Sequence, residues 1–238
     1  MNPKYSFIIP AYNEEALIGR TLDVLRESAS HLKGGFEIIV ANDDSIDRTP
    51  DIAREKGARV IDVKKRQIAA VRNSGASIAT GEIFVFVDAD TLVHPNTLLA
   101  LEKLLERKDI VAGGARMEFD APPPWWGSIA VRIFLFFYFD LARFAGGGFL
   151  FARREAFEKA GRWDEKYFAS EEVHLSRALK RQGRFRIIRD PVITSARKFR
   201  MKTPREHIAL LKHVAFKGKK GLQGRDGLDM WYDGQREK

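Results

Sequence analysis

The sequence predicts an α/β fold, a single domain with a mostly parallel central sheet, helices on both faces and a less regular second half. Three observations predict it. Short β-rich runs alternate with amphipathic stretches through residues 5–107, the pattern of strands joined by crossover helices. Acidic and aromatic side chains stand just after several of those runs, where open α/β sheets bind ligands. At 238 residues and 45% hydrophobic, the chain can bury a sizeable core and is expected to form one domain, or one with an appendage.

Tyr5 to Ile9 reads as the first strand. Leu17, Ile18, Leu22 and Leu25 then recur at helical spacing, and Gly34-Gly35 stops that helix before a second strand, Phe36 to Ala41. The next crossover begins near Asp47, whose side chain can cap a helix with Pro50 in its first turn. A third β run, Ala58 to Val63, precedes a helix rich in small residues, Ile68 to Ala79. The most apolar strand, Ile83 to Val87, runs straight into Asp88-Ala89-Asp90, and Pro95 opens a helix over Asn96 to Arg107. Beyond Pro122-Pro123-Pro124 the pattern loosens. An aromatic helix is expected from about Trp125 to Phe144, a short strand at Phe149 to Phe151, a helix over Glu171 to Gln182, two short strands near Ile187 and Val192, and a last helix after Pro204. The expected division within the one domain 1–238 is a ligand-binding half, 1–115, a second half, 116–203, and a basic helix and tail, 204–238.

Composition narrows the chemistry. With no cysteine the chain has no disulfide framework, thiolate metal site or cysteine nucleophile. Lysine and arginine exceed the acids by 41 to 32, a net +9. The excess is concentrated: between Arg177 and Lys220 fifteen basic residues face two acidic ones. Such a surface attracts phosphates, acidic lipid headgroups or nucleic acid, with a merely solubilising basic face as the plainer reading. The start of the chain lacks the charge, apolar run and cleavage pattern of a signal peptide. The cytoplasm is therefore the expected location, with the inner face of the cell membrane as a surface to associate with.

The longest apolar stretch, Ile129 to Phe139, is interrupted by Arg132 and falls short of the ~20 residues a spanning helix needs. It is apolar around its whole circumference, so something must bury it: the core, a homodimer interface, or shallow insertion into a membrane surface helped by Trp125, Trp126, Arg132 and Arg143.

Asp88 and Asp90, separated by one residue at the end of a buried strand, can face one cation while the strand stays rigid. Hard carboxylate oxygens suit Mg²⁺ or Mn²⁺, and such a site leaves other coordination positions to water and substrate phosphates. A polar turn is the alternative for this short motif. After the second strand, Asp43 can accept from a nucleobase N–H. Tyr12, in the turn Pro10-Ala11-Tyr12-Asn13-Glu14-Glu15, would lie beside it as an aromatic ledge.

Taken together and in this order, these segments resemble the family 2 glycosyltransferases of the GT-A fold. Phe7 to Glu15 resembles that family's opening strand and turn, Ile38 to Thr49 its second-strand acidic motif, Ala70-Val71-Arg72-Asn73-Ser74-Gly75 with Thr80-Gly81-Glu82 its central helix, and Val87 to Thr91 its metal motif. Gly147 to Arg154 and Tyr167 to Glu172 are similar to its acceptor-side segments, so the likeness covers about residues 5 to 200.

The resemblance implies an inverting enzyme that moves a sugar from a nucleotide-diphosphate donor to a glycan or lipid-linked acceptor. It implies donor contacts at Pro10, Tyr12, Glu14, Asp43, Arg72, Asp88, Ala89 and Asp90. The metal would lie on Asp90 with Asp88, the catalytic base would be Glu172 with Glu171 as rival, and Arg197, Lys198 and Arg200 would contact phosphates. Three positions depart from the family pattern: Asn42 replaces the first acid of a pair, Glu172 the more usual Asp, and His174 a residue often acidic.

Two other classes stay open. A nucleotidyltransferase would share the sheet and carboxylate-bound metal, but the turn after strand one is neither glycine-rich nor basic. A basic nucleic-acid-binding protein would explain the charge but leave Asp43, Asp88, Asp90 and Glu172 unexplained. The five histidines show no zinc spacing, and no Gly-x-Gly-x-x-Gly follows a strand.

Overall fold

The computed structural model describes residues 2–121, 136–197 and Gln223. In chain order the elements are β1 (Tyr5–Ala11), α1 (Ile18–Ala29), β2 (Phe36–Asp43), α2 (Thr49–Glu55), β3 (Arg59–Val63), α3 (Ile68–Ile78), β4 (Ile83–Val87), β5 (Thr91–Leu92), α4 (Pro95–Leu105) and β6 (Ile110–Phe119). A π-helical turn (Phe136–Leu141), β7 (Phe149–Arg153), α5 (Arg154–Lys159), α6 (Glu171–Lys180) and β8 (Arg184–Thr194) follow.

One eight-stranded sheet holds them in the order β3-β2-β1-β4-β7-β6-β8-β5. Strands β3, β2, β1 and β4 are parallel, as the alternating pattern requires. The sheet then becomes mixed. β7 runs antiparallel to both β4 and β6, β6 and β8 are parallel, and the two-residue β5 pairs antiparallel with β8.

Strand alternation explains the two cores. Phe7, Ile9, Val85, Val87, Phe149 and Phe151 pack on one face with Ile18, Leu22 and Leu25 of α1 and Leu98 and Leu101 of α4. Ile8, Phe84, Phe86 and Leu150 pack on the other with Ala69 and Ala76 of α3, Phe157 of α5, and Leu175 and Leu179 of α6. The small residues of α3 let it lie close to the sheet. A Cβ on Gly75 would come within 2.6 Å of Ile8 Cγ2, so this position excludes any larger residue without a shift. Gln67 caps α3 by accepting from Ala70 N (2.6 Å) and reaches across to donate to Tyr167 O (2.6 Å). That contact anchors the segment leading into α6 to the start of α3.

β1 to β4 and α1 to α4 fall close to where the sequence places them, the two-residue β5 is additional, and Asp47 accepts from Thr49 N (3.0 Å) at the start of α2, where Arg48 takes the N-cap position. Further along the chain several places differ, one of them the short α5 (Arg154–Lys159), to which the sequence pattern assigned no element. Ile110–Phe119, to which the sequence pattern assigned no element, forms β6, and it crosses the expected division near residue 115. The two short strands expected near Ile187 and Val192 are one strand, β8, which absorbs Pro191 at a register shift against β6. Of the expected aromatic helix, residues 122–135 lie outside the described residues; the described part is helical only as the turn Phe136–Leu141 and ends three residues short of Phe144, where Arg143 takes φ 52°. The helix expected after Pro204 lies outside the described residues.

Candidate active site

The parallel strands end on one edge of the sheet, and the acids picked out from the sequence lie there because each follows a strand. Asp43, the last residue of β2, is buried, and its carboxylate accepts from Lys65 N (2.7 Å) and Arg66 N (2.9 and 3.0 Å). This grip bends the chain after β3, with Arg66 at φ 52°, and lays the Arg66 guanidinium over the Tyr12 ring at 3.8 Å. Arg66 Nη1 is buried with no hydrogen-bond partner. A donor without a partner beside an aromatic face is a place for a ligand acceptor atom, and nothing in the sequence pattern singled out Arg66. Asn42 turns to the opposite side of β2 and donates to Asp62 Oδ1 (2.7 Å), so the departure from the acidic pair sits away from this ledge. Pro10 lies in β1 as the register partner of Ala41.

The second group gathers at the end of β4. Ala89 is buried, its carbonyl accepts from Thr21 Oγ1 of α1 (2.8 Å), and so the loop carrying the two aspartates is pinned to the helix beneath. Pairing of β5 with β8 then brings the end of β8 alongside: Ser195 N donates to Asp90 O (3.2 Å), and Arg197 follows two residues later. Arg197 is buried, with Nη2 at 2.5 Å from both oxygens of Glu14 and 3.3 Å from Asp90 Oδ2. Glu14, Asp90 and Arg197 therefore form one charged cluster. Lys198 and Arg200 lie outside the described residues.

Arg72, from α3, joins the end of β4 to the start of α6. Its side chain is 2% exposed; Nη2 donates to Asp88 Oδ1 (2.8 Å) and Gly147 O (3.2 Å), and Nη1 donates to Glu171 Oε1 (2.8 Å). Burial opposes its charge, but Asp88 and Glu171 outweigh that and hold the guanidinium above the usual arginine range. The guanidinium also lies over the Trp163 ring at 4.6 Å. The sequence offered Arg72 as a donor contact; the structure commits it to two carboxylates at once.

Glu171 and Glu172 occupy the first turn of α6, entered through Ser170 at φ 62°. Glu171 is buried against Arg72. Glu172 points elsewhere and accepts from Tyr138 Oη (3.2 Å) of the π-helical turn. Burial, reinforced by the charge of Glu171, pushes the Glu172 carboxyl up to about 8, against the opposing pull of its own backbone N–H, Arg72 and Tyr138. That is the range in which a general base works best near neutral pH. His174, two residues on, stacks on Tyr167 with ring centroids 3.7 Å apart.

A divalent cation fits this donor set in a limited way. Among the described residues no group of three or more acidic or histidine side chains could hold a metal, so there is no complete protein cage. Asp88 and Asp90 offer hard oxygens from one rigid strand end, and Asp88 keeps a side-chain exposure of 31%. This suits an ion that takes one or two carboxylates and fills its remaining positions with water and phosphate.

Residues 6–161 match the family described as glycosyl transferase family 2. The chain belongs to that family. This family 2 chain is 35% identical over 99 residues to validoxylamine A glucosyltransferase of Streptomyces hygroscopicus subsp. jinggangensis, covering 40% or less of either protein: 39% of this chain and 23% of that one. It is 29% identical over 182 residues to beta-monoglucosyldiacylglycerol synthase of Nostoc sp., covering 69% of this chain and 38% of that one. The family 2 chain thus spans less than half the length of these curated relatives. Its fold is that of a mannosyltransferase from Pyrobaculum calidifontis in complex with GDP-Man and Mn²⁺, with a TM-score of 0.67, 20% identity, and coverage of 90% of this chain and 61% of that one.

Proposed function

We propose that the chain is a metal-dependent, inverting glycosyltransferase that moves a sugar from a nucleotide-diphosphate donor to the hydroxyl of a glycan or lipid-linked acceptor. The observation that carries this reading is the Arg72 bridge. It ties Asp88, on the side where the donor phosphates would lie, to Glu171, the neighbour of the base on the acceptor side.

Tyr12 and Arg66 form a stacked ledge beside Asp43, where the nucleobase is expected to pack. Asp90 and Asp88 would hold Mg²⁺ or Mn²⁺, which when bound supplies positive charge against the leaving diphosphate. Arg197 adds a guanidinium beside Asp90 for the same phosphates. Glu171 is committed to Arg72, which leaves Glu172 to accept the proton of the acceptor hydroxyl. That oxygen forms a bond to the anomeric carbon from the side opposite the departing diphosphate as the bond to the diphosphate oxygen breaks, its electron pair leaving with the diphosphate. The configuration inverts.

An apolar acceptor is favoured by Phe136, Phe137 and Leu141, which are exposed on the turn that carries Tyr138. Arg143, Arg177 and Lys180 lie on the adjoining segment and helix. An aromatic face edged with cations suits contact with an anionic membrane surface. The Nostoc relative, named for a glucosyldiacylglycerol product, is in keeping with a lipid acceptor.

The test is release of nucleoside diphosphate from UDP-glucose, UDP-GlcNAc and GDP-mannose with Mn²⁺, in the presence and absence of vesicles carrying diacylglycerol. Release that requires Mn²⁺ and is lost in Glu172→Gln supports the reading. Full activity in that variant would remove Glu172 as the base and favour an acceptor that is already ionised, such as a lipid phosphate.

A further inference from the structure

Tyr138 has one phenolic proton, and among the described residues two acceptors lie within its reach. Its hydroxyl lies 2.9 Å from Ala145 O and 3.2 Å from Glu172 Oε1, and a single O–H cannot donate well to both. We propose that Tyr138 is the positioning residue for Glu172, its proton turning from the Ala145 carbonyl to the carboxylate when the base ionises. This rests on the reading of Glu172 as the base.

Each protonation state sets its own direction for the phenolic proton. While Glu172 carries a proton, the carboxyl donates to Tyr138 Oη and Tyr138 donates to Ala145 O. Once Glu172 is ionised it can only accept, so the phenolic proton turns to it and Ala145 O gives up that donor. A hydrogen bond to a charged acceptor is about twice as strong as one between neutral groups, so the net effect of Tyr138 is to favour the ionised base.

The surroundings make the hydroxyl's place well defined. The Tyr138 ring packs edge-on against Phe139 and Phe144, with centroids 5.2 and 5.7 Å away. The segment bearing Ala145 is strapped to α6, because Ala145 N donates to Ser176 Oγ (3.2 Å) and Lys180 Nζ to Ala142 O (2.7 Å). An ion pair between Arg116 and Asp140 holds the π-helical turn to β6. Insertions of this helical type recur at functional sites. The turn places the aromatic pair Phe136 and Phe137 and the hydroxyl of Tyr138 on consecutive residues, so an acceptor leaning on that surface presses on the element that holds the base.

The charged groups acting on Glu172 are Glu171 beside it on α6 and Arg72 from α3, with Tyr138 from the turn. Burial together with the charge of Glu172 pushes the Tyr138 phenol itself upward, so it stays protonated while the carboxyl titrates.

Tyr138→Phe removes the hydroxyl and keeps the ring. The experiment follows the side-chain carboxyl ¹³C of Glu172 against pH by NMR in the intact protein, assigned with Glu172→Gln, together with the backbone carbonyl ¹³C of Ala145. In the wild type the two signals are expected to titrate with a shared midpoint. In Tyr138→Phe the Glu172 midpoint should rise by roughly one pH unit, the size of one charge-assisted hydrogen bond, and the matching step at Ala145 should vanish. An unmoved or lowered Glu172 midpoint, or an Ala145 step that survives the substitution, overturns the inference. These readouts need no turnover, so they stand apart from the diphosphate-release assay that decides whether Glu172 is the base.

Discussion

Replacing Arg72 by methionine keeps much of the side chain's length and removes its charge, and the structure indicates where the cost falls. Three hydrogen bonds disappear, to Asp88, Glu171 and Gly147 O. Asp88, with a side-chain exposure of 31%, can recover water, but Glu171 at 7% is left buried without a counter-charge. Breaking a buried ion pair from one side costs about 3–5 kcal/mol. For a chain of this size each kcal/mol lowers Tm by about 2–4 °C, so Arg72→Met should melt roughly 6–20 °C below the wild type. The cost belongs to the orphaned carboxylate, so removing it as well should return much of the loss: Arg72→Met with Glu171→Met should lie within about 2 kcal/mol of the wild type. Urea unfolding of the wild type, both single variants and the double variant gives the coupling directly. If Arg72→Met costs under about 1 kcal/mol, or if the two substitutions simply add, the bridge does not join the two halves of the site.

Other expectations follow from the same geometry. Glu172→Gln should reduce turnover by about 10²- to 10⁴-fold, the range for losing a general base. The wild-type kcat/KM should climb about tenfold per pH unit and level off near pH 8, where the elevated carboxyl is ionised; a flat profile between pH 6 and 8 would count against Glu172. The same elevation bears on stability. The folded state holds that proton more tightly than the unfolded chain, so the contribution is complete below the ordinary glutamate value of 4.5 and is lost as pH rises through about 8. Arg197→Ala should lower turnover more than donor affinity if its guanidinium neutralises the leaving diphosphate; equal losses in both would count against that role, and lost affinity with unchanged turnover would assign it to binding alone. Phe136→Ser with Phe137→Ser should weaken sedimentation with anionic vesicles several-fold while leaving Tm nearly unchanged, because both rings are exposed; unchanged sedimentation would remove this face from membrane contact.

What the sequence made legible divides along the sheet. From β1 to β4 each strand follows the last through a helix, so apolar runs and turn residues suffice, and β4 falls on the expected residues, Ile83–Val87. β6 escaped because Gly113-Gly114 interrupts its apolar character and Arg116 and Glu118 alternate with partly buried residues near its end. Its place is fixed by β7 and β8, which lie far along the chain. The acids Asp43, Asp88 and Asp90 were readable because position after a strand is a local property. Partnership is not local. Arg72 meets Glu171 across 99 residues and Tyr138 meets Glu172 across 34, so their roles could not be read from spacing. One signal was present for Arg72: a lone arginine among Ala69, Ala70, Gly75 and Ala76 on a helix of small buried residues must find a counter-charge in the interior.

The central claim is that the end of β4 binds a nucleoside diphosphate through a divalent cation. Thermal stabilisation of the purified chain by UDP, GDP, CDP, dTDP and ADP, each with and without Mn²⁺, tests it most directly, with Asp90→Ala as the control. The account predicts a rise in Tm with one of these diphosphates that needs both Mn²⁺ and Asp90. No shift with any of them at millimolar concentration, or a shift that is the same without metal and in Asp90→Ala, would contradict it.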